Sequence, residues 1–122
     1  MNLTWLKRSI WTACLFFGGI LVGTNLSRVA ETPATVPLLQ NAHVEVTRIE
    51  YPEKSVRSPH VRPRSQVIVF IDDAHYQVVY QNGKTETRER KAGDIIWHSQ
   101  GEEAPTLTNL GAKYRTVVVN LK

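Results

Sequence analysis

Gln66-Val67-Ile68-Val69-Phe70-Ile71 is an apolar, β-branched run, and His75-Tyr76-Gln77-Val78-Val79-Tyr80 follows it after a short acidic break. Next come Gln81-Asn82-Gly83-Lys84 and the polar segment Thr85-Glu86-Thr87-Arg88-Glu89-Arg90-Lys91. The first run reads as a strand buried on both faces, or nearly so. Asn-Gly between two strand-like runs is the strongest short hairpin signal, because both residues tolerate positive φ. The return segment is polar at almost every position and must face solvent or form a sheet edge. Downstream, Ala92-Gly93-Asp94 turns the chain into Ile95-Ile96-Trp97-His98, and Tyr114-Arg115-Thr116-Val117-Val118-Val119-Asn120-Leu121 is a further β-branched strand. Upstream, the period becomes 2 from His43: Val44 and Val46 alternate with Glu45 and Thr47, and the run continues to Tyr51. No segment after residue 40 carries a 3.6-residue period. About seven short strands at intervals of roughly 10 residues predict an all-β sandwich or barrel.

The chain has 122 residues, 42% hydrophobic and 21% charged, a length that suits one domain. Its formal charge of +4 invites a nucleic-acid partner, so the placement of the charge matters. Lys7, Arg8 and Arg28 precede residue 31 and no acid does, which leaves 12 cations against 11 anions in the remaining 92 residues. The body is nearly neutral, and nucleic acid is not an expected partner. The single cysteine, Cys14, allows no internal disulfide and no cysteine-based zinc site. A Gly-x-Ser-x-Gly elbow is missing, as is a glycine-rich phosphate loop leading into a helix.

Lys7 and Arg8 stand before an uncharged stretch from Ser9 to Ser27 that is apolar over most of its length. A positive flank and an apolar run form an export signal or a signal anchor, here residues 1–30, with a membrane helix over about residues 9–26. Arg28 lies two positions before Ala30, a poor context for cleavage, which favours the anchor over secretion into the periplasm. Charge bias then leaves Lys7 and Arg8 in the cytoplasm and carries the body to the periplasm or cell exterior. Residues 27–40, with Pro33 and Pro37, read as a linker, and residues 41–122 as the globular unit. An all-β unit of this size often adds a partner subunit, so a homodimer is a further expectation.

Two segments of this unit resemble the cupin motifs. Pro59-His60-Val61-Arg62-Pro63-Arg64-Ser65-Gln66 lies where the first motif belongs, and Gly93-Asp94-Ile95-Ile96-Trp97-His98-Ser99-Gln100-Gly101 where the second begins. The resemblance spans roughly residues 41–122 and implies a jelly-roll β-barrel. Cupin motifs commonly supply about three histidines and one Glu or Gln to a transition metal. On that pattern His60 keeps the first ligand position, Arg62 replaces the second histidine and Gln66 replaces the glutamate. Ala104 occupies the last position, with Glu103 one residue before it. A guanidinium has no lone pair to donate. No cofactor is therefore expected; the weak metal candidates are His60, Glu103 and His98.

Arg57, Arg62 and Arg64 surround His60 in the sequence, and guanidinium forks grip carboxylates or phosphates through paired hydrogen bonds. The resemblance sets this segment at the barrel mouth, with His60, Arg62, Gln66, Trp97 and Glu103 as pocket residues and Tyr80 as a further apolar wall. The expected function is metal-free binding of a small anionic or polar molecule by a membrane-tethered barrel. One alternative is that Arg57 and Arg64 are solvated and Arg62 alone points inward, paired with Glu102 or Glu103. Others are a metal-dependent enzyme of dioxygenase or isomerase type, and an interaction barrel without a pocket. Trp97 and His98 are neighbours on one strand and must face opposite sides.

Overall fold

A computed structural model describes residues 30–122. The expected leader helix over residues 9–26 and Cys14 lie outside the described residues. Eleven strands make up the remainder: β1 (Ala34–Gln40), β2 (Val44–Tyr51), β3 (Val56–Arg57), β4 (His60–Val61), β5 (Gln66–Phe70), β6 (Ala74–Val79), β7 (Thr85–Arg90), β8 (Ile95–His98), β9 (Glu103–Ala104), β10 (Thr106–Asn109) and β11 (Tyr114–Leu121). They form a five-stranded sheet in the order β1-β2-β11-β5-β8 and a four-stranded sheet in the order β3-β10-β6-β7. A short β4–β9 ribbon accompanies the two sheets. Every pairing is antiparallel. This is the all-β architecture that the strand spacing predicts, arranged as the jelly roll that the resemblance implies.

The first strand begins earlier than the linker reading allowed. Residues 34–40 pair with β2 from Ala34↔Glu50 to Gln40↔Glu45, so the sheet already holds half of the stretch expected to be a tether. Pro37 is tolerated because β1 is an edge strand, where a missing N–H costs no ladder bond, and the register shifts between Pro37 and Leu39. The polar return strand β7 is the edge of the other sheet, as its composition requires. Its hairpin is wider than the two-residue turn that Asn82-Gly83 suggests. Val79 pairs with Thr85, Gly83 N–H donates to the Tyr80 carbonyl at 2.9 Å, and Tyr80 N–H donates to the Lys84 carbonyl at 2.8 Å. Gly83 alone in the turn takes positive φ (91°), while Asn82 accepts from Lys84 N–H through its side chain. That is a tight turn followed by a left-handed glycine, the usual three-residue hairpin solution.

Inward parity builds the core. Tyr51, Phe70, Tyr76, Val78, Leu107 and Tyr114 are buried between the sheets, with Ile49, Ile68, Tyr80 and Ile96 packed against them. Tyr51 and Tyr114 stack with ring centroids 4.6 Å apart, and Phe70 and Tyr76 lie within 6.2 Å of each other or of Tyr114. Such contacts add about 0.5–1.5 kcal/mol each beyond area burial. Asn109, 1% exposed, ties two loops together: its amide donates to the carbonyls of Tyr51, Pro52 and Ala112, and its oxygen accepts from Gly111 N–H. The aromatic cluster closes one part of the barrel interior. The rest of the interior is not filled.

Candidate functional site

The unfilled space is a cavity of about 280 Å³. Its walls come from both sheets: Ile68, Phe70, Ile96 and Thr116 on one side, Tyr76, Val78, Tyr80 and Leu107 on the other. Arg57, Arg62, Arg88, His98, Glu102 and Glu103 supply its charged and ionisable groups. The polar groups converge because β3, the segment after β4, β8 and the loop before β9 bring them to one region of the barrel.

Arg62 is 5% exposed and follows β4 directly. Its backbone is held on both sides, with N–H donating to the Glu102 carbonyl at 3.0 Å and C=O accepting from Gly101 N–H at 2.9 Å. Its guanidinium donates through Nη1 to Gln66 Oε1 at 2.5 Å, and Gln66 Nε2 in turn donates to Asn120 Oδ1 at 2.8 Å. Among the described residues no carboxylate lies within ion-pairing distance of Arg62 or of Arg57. The expected pairing of Arg62 with Glu102 or Glu103 is therefore not formed, because both carboxylates are engaged elsewhere. Glu102 accepts from Ser99 N–H and meets His98 Nδ1 at 3.0 Å, and Glu103 accepts from Gln81 N–H at 2.6 Å.

Arg57 also reaches the cavity, where the alternative reading left it in solvent. Its Nη2 donates to the Pro105 carbonyl at 2.7 Å. Among the described residues both Arg57 Nε and Arg62 Nε are buried without a partner, and so is the Thr116 hydroxyl on the opposite wall. Burial holds the Arg62 pKa below its ordinary value, and the neighbouring Arg57 charge pushes the same way. His98 is likewise lowered, first by burial and then by Arg62, against the pull of the Glu102 hydrogen bond. These are the marks of a site with surplus positive charge and donors that lack acceptors.

The five expected pocket residues divide. Arg62 lines the cavity, Gln66 braces it from behind, and Glu103 sits where the cavity meets a neighbouring groove. His60 is exposed and lines that groove, of about 340 Å³, with Pro59, Val61, Val79 and Gln81. Trp97 is 53% exposed on the outer face of β8 and is no cavity wall; the alternation that turns it outward turns His98 inward. Tyr51, Tyr76 and Thr116 are cavity residues that motif spacing did not single out. Strand parity finds them, since Tyr114, Thr116 and Val118 share the inward side of β11, and Tyr76, Val78 and Tyr80 that of the β6 segment.

The positions that hold a metal in the motif do not supply a donor set here. His60 lies outside the barrel interior, Arg62 is a cation, Gln66 is committed to Arg62 and Asn120, and Ala104 is fully buried opposite His60. His98 faces the cavity while His60 does not line it, so these two candidates are not brought together there. Among the described residues no three His, Cys, Asp or Glu side chains gather into a metal-binding group.

No family model matches the chain, and no curated protein matches it. Solved structures do. A cupin domain from Bordetella pertussis Tohama I superposes with a TM-score of 0.71 at 16% identity, covering 79% of this chain and 99% of that one. The fold is that of the cupins. An uncharacterised protein with a double-stranded β-helix domain from Klebsiella pneumoniae shares it (TM-score 0.59, 22% identity, 74% of this chain and 76% of that one). So does the polyketide cyclase RemF from Streptomyces resistomycificus, with a TM-score of 0.59, 21% identity, and coverage of 76% of this chain and 70% of that one. At these identities the likeness is one of barrel architecture, and the chemistry of this barrel rests on its own cavity.

Proposed function

We propose that this cupin barrel is a metal-free binding module for a small organic carboxylate. The observation that carries the proposal is Arg62: a buried guanidinium beside Arg57, facing a cavity, without a carboxylate partner among the described residues. Glu102 attracts this charge only from beyond ion-pairing distance, and a buried charge without a hydrogen-bonded counter-ion is costly, so an anion bound in the cavity would stabilise the arrangement. A carboxylate suits the site better than a bare inorganic anion. The guanidinium fork matches two coplanar oxygens, and the Tyr51, Phe70, Tyr76 and Leu107 walls accept an apolar body behind the head group. The Thr116 hydroxyl offers one further polar contact. In the same proposal the leader over residues 9–26 tethers the barrel on the outer side of the cytoplasmic membrane, where it samples exported solutes.

Thermal melting of the purified protein with acetate, glycolate, benzoate and sulfate tests the reading. A carboxylate at about 100 times its Kd stabilises the folded state by about 2.7 kcal/mol, a rise of roughly 10–20 °C for a domain of this size. Glycolate or benzoate is expected to raise the melting temperature more than sulfate. Elemental analysis of the same sample is expected to find no stoichiometric transition metal. One equivalent of metal that disappears in His60→Ala or His98→Ala, with no carboxylate raising the melting temperature, overturns the proposal.

A further inference from the structure

The charges of the cavity are sorted by depth. Among the described residues that line it, Glu102 and Glu103 alone are exposed, so these two acids mark its mouth. Arg62 is buried and Arg57 half-buried, so the guanidiniums stand deeper. The two acids are not equivalent. Both oxygens of Glu102 are engaged, one by Ser99 N–H and the other by His98 Nδ1. Glu103 accepts from Gln81 N–H through Oε2 alone, and among the described residues no cation pairs with it.

The mouth adjoins the groove of about 340 Å³, and Tyr80 and Glu103 line both spaces. Tyr80 is held at both ends: its N–H donates to the Lys84 carbonyl, and its hydroxyl accepts from Arg88 Nη2 at 2.8 Å. Beyond Tyr80 the groove offers apolar surface and acceptors, and no Lys or Arg among the described residues lines it. Val61 and Val79, both exposed, supply part of the apolar surface. The His60 imidazole has its pKa lowered by desolvation, against a backbone hydrogen bond with Ser58, and lowered further by the Arg57 and Arg62 charges. It is uncharged near neutral pH, where one ring nitrogen keeps a lone pair.

We infer that cavity and groove form one elongated site for an ω-amino carboxylate, its carboxylate inward at Arg62 and Arg57 and its ammonium group outward at Glu103. The inference rests on the carboxylate reading proposed above and adds a second head group to it. Cations at the floor and a carboxylate at the mouth favour a guest whose charges run the opposite way over a guest with a single charge. The two contact groups also diverge. Glu103 pairs in register with Val61, the residue before Arg62, and successive residues of an extended chain point to opposite faces. Guanidinium and carboxylate therefore leave the ribbon on different sides, and a guest that meets both needs an apolar spacer between its charges. The Val78, Tyr80 and Leu107 walls suit such a spacer. Exposure makes Glu103 a selectivity contact, while the buried guanidinium carries most of the affinity.

Calorimetric titration of the full chain in a non-ionic detergent tests the inference. Butanoate, hexanoate and octanoate are set against 4-aminobutanoate, 6-aminohexanoate and 8-aminooctanoate. At one or more of these lengths the amino acid is expected to bind about 2- to 5-fold tighter than its plain counterpart, the range of an exposed ion pair. Glu103→Gln keeps an amide oxygen for Gln81 N–H and is expected to bring that ratio to one or below. An unaltered far-ultraviolet spectrum checks that the variant folds. Plain acids that bind as tightly as their amino counterparts at every length leave the carboxylate reading standing and overturn this inference. So does an amino-acid preference that persists undiminished in folded Glu103→Gln. If neither series binds, the carboxylate reading itself falls and this inference falls with it.

Discussion

Replacing Arg62 and Gln66 together by methionine separates a structural role for this pair from a binding role. Arg62 is 5% exposed, its Nε is buried without a partner, and its sole side-chain hydrogen bond among the described residues goes to Gln66. Methionine keeps most of the apolar stem. Arg62→Met alone removes a desolvated charge, a change worth about 1–4 kcal/mol in favour of the fold when the replacement packs well. It also leaves Gln66 Oε1 without its donor, at a cost of about 1–3 kcal/mol. The two effects nearly cancel in the single variant. In the double variant the second cost is gone, and half-buried Asn120 can turn to water. The ligand-free double variant is then more stable than wild type by about 1 kcal/mol or more, a rise of roughly 4–8 °C per kcal/mol at this size. Carboxylate binding moves the other way, because removing one partner of a buried, hydrogen-bonded charge pair costs about 2–5 kcal/mol, or roughly 30- to several-thousand-fold in affinity. Chemical denaturation, with and without glycolate or benzoate, reads both quantities. A ligand-free double variant several degrees less stable than wild type, together with undiminished carboxylate stabilisation, refutes the reasoning. Arg62 would then be a satisfied structural cation.

Other perturbations probe separate parts of the argument. Asn109→Leu loses four hydrogen bonds at a site that is 1% exposed and strands three carbonyls in two loops, so equilibrium denaturation is expected to register a loss of about 3 kcal/mol or more. A loss below about 1 kcal/mol would mean that the loops hold their positions without it. Thr116→Val removes a buried hydroxyl that has no partner; the ligand-free protein is expected to melt at the same temperature or a few degrees higher, and a marked drop would reveal a bonded hydroxyl. Asp72 has its carboxyl pKa lowered, first by its hydrogen bond from Arg115, and Glu50 by those from Lys113 and Arg48. A carboxylate lowered in the folded state contributes stability above its unfolded pKa of about 4, and that stability is lost as the pH falls through the folded value. Asp72→Asn is accordingly expected to flatten the acid limb of a melting-temperature profile below about pH 4.5 and to lower the plateau above it. A profile parallel to wild type throughout counts against that pair.

The barrel was readable because its signals are local. Period-2 alternation sets Trp97 against His98 on opposite faces of β8, and Asn82-Gly83 marks the return into β7, whose polar sequence marks an edge. Proline misled at the start. Pro33 and Pro37 look like linker residues, yet an edge strand needs no N–H on its open side, and β1 pairs with β2 all the same. Burial in the site was less legible, since it depends on contacts remote in sequence. Nothing near Glu103 shows that its carboxylate will cap Gln81 N–H 22 residues away, or that Glu102 will be taken by His98 and Ser99. Those two commitments leave Arg62 without an ion-paired carboxylate among the described residues, and an ion pair drawn from sequence proximity could not foresee them.

The same commitments bear on whether a cupin-fold barrel carrying Arg62 can take a metal. A metal site needs lone pairs converging on one point, and a guanidinium at the second ligand position supplies the opposite: donors and a fixed positive charge. Arg62 at that position disfavours a cationic guest, since a cation placed beside it meets repulsion from Arg62 and from the neighbouring Arg57. His60 lies in the adjoining groove, and the Gln66 side-chain oxygen accepts from the Arg62 guanidinium. Restoring histidine at this single position therefore does not restore a metal site. Arg62→His still leaves His60 outside the cavity, Ala104 without a donor atom and Arg57 in the wall, so a chain that gains stoichiometric zinc through that one substitution contradicts the geometry described for all four positions.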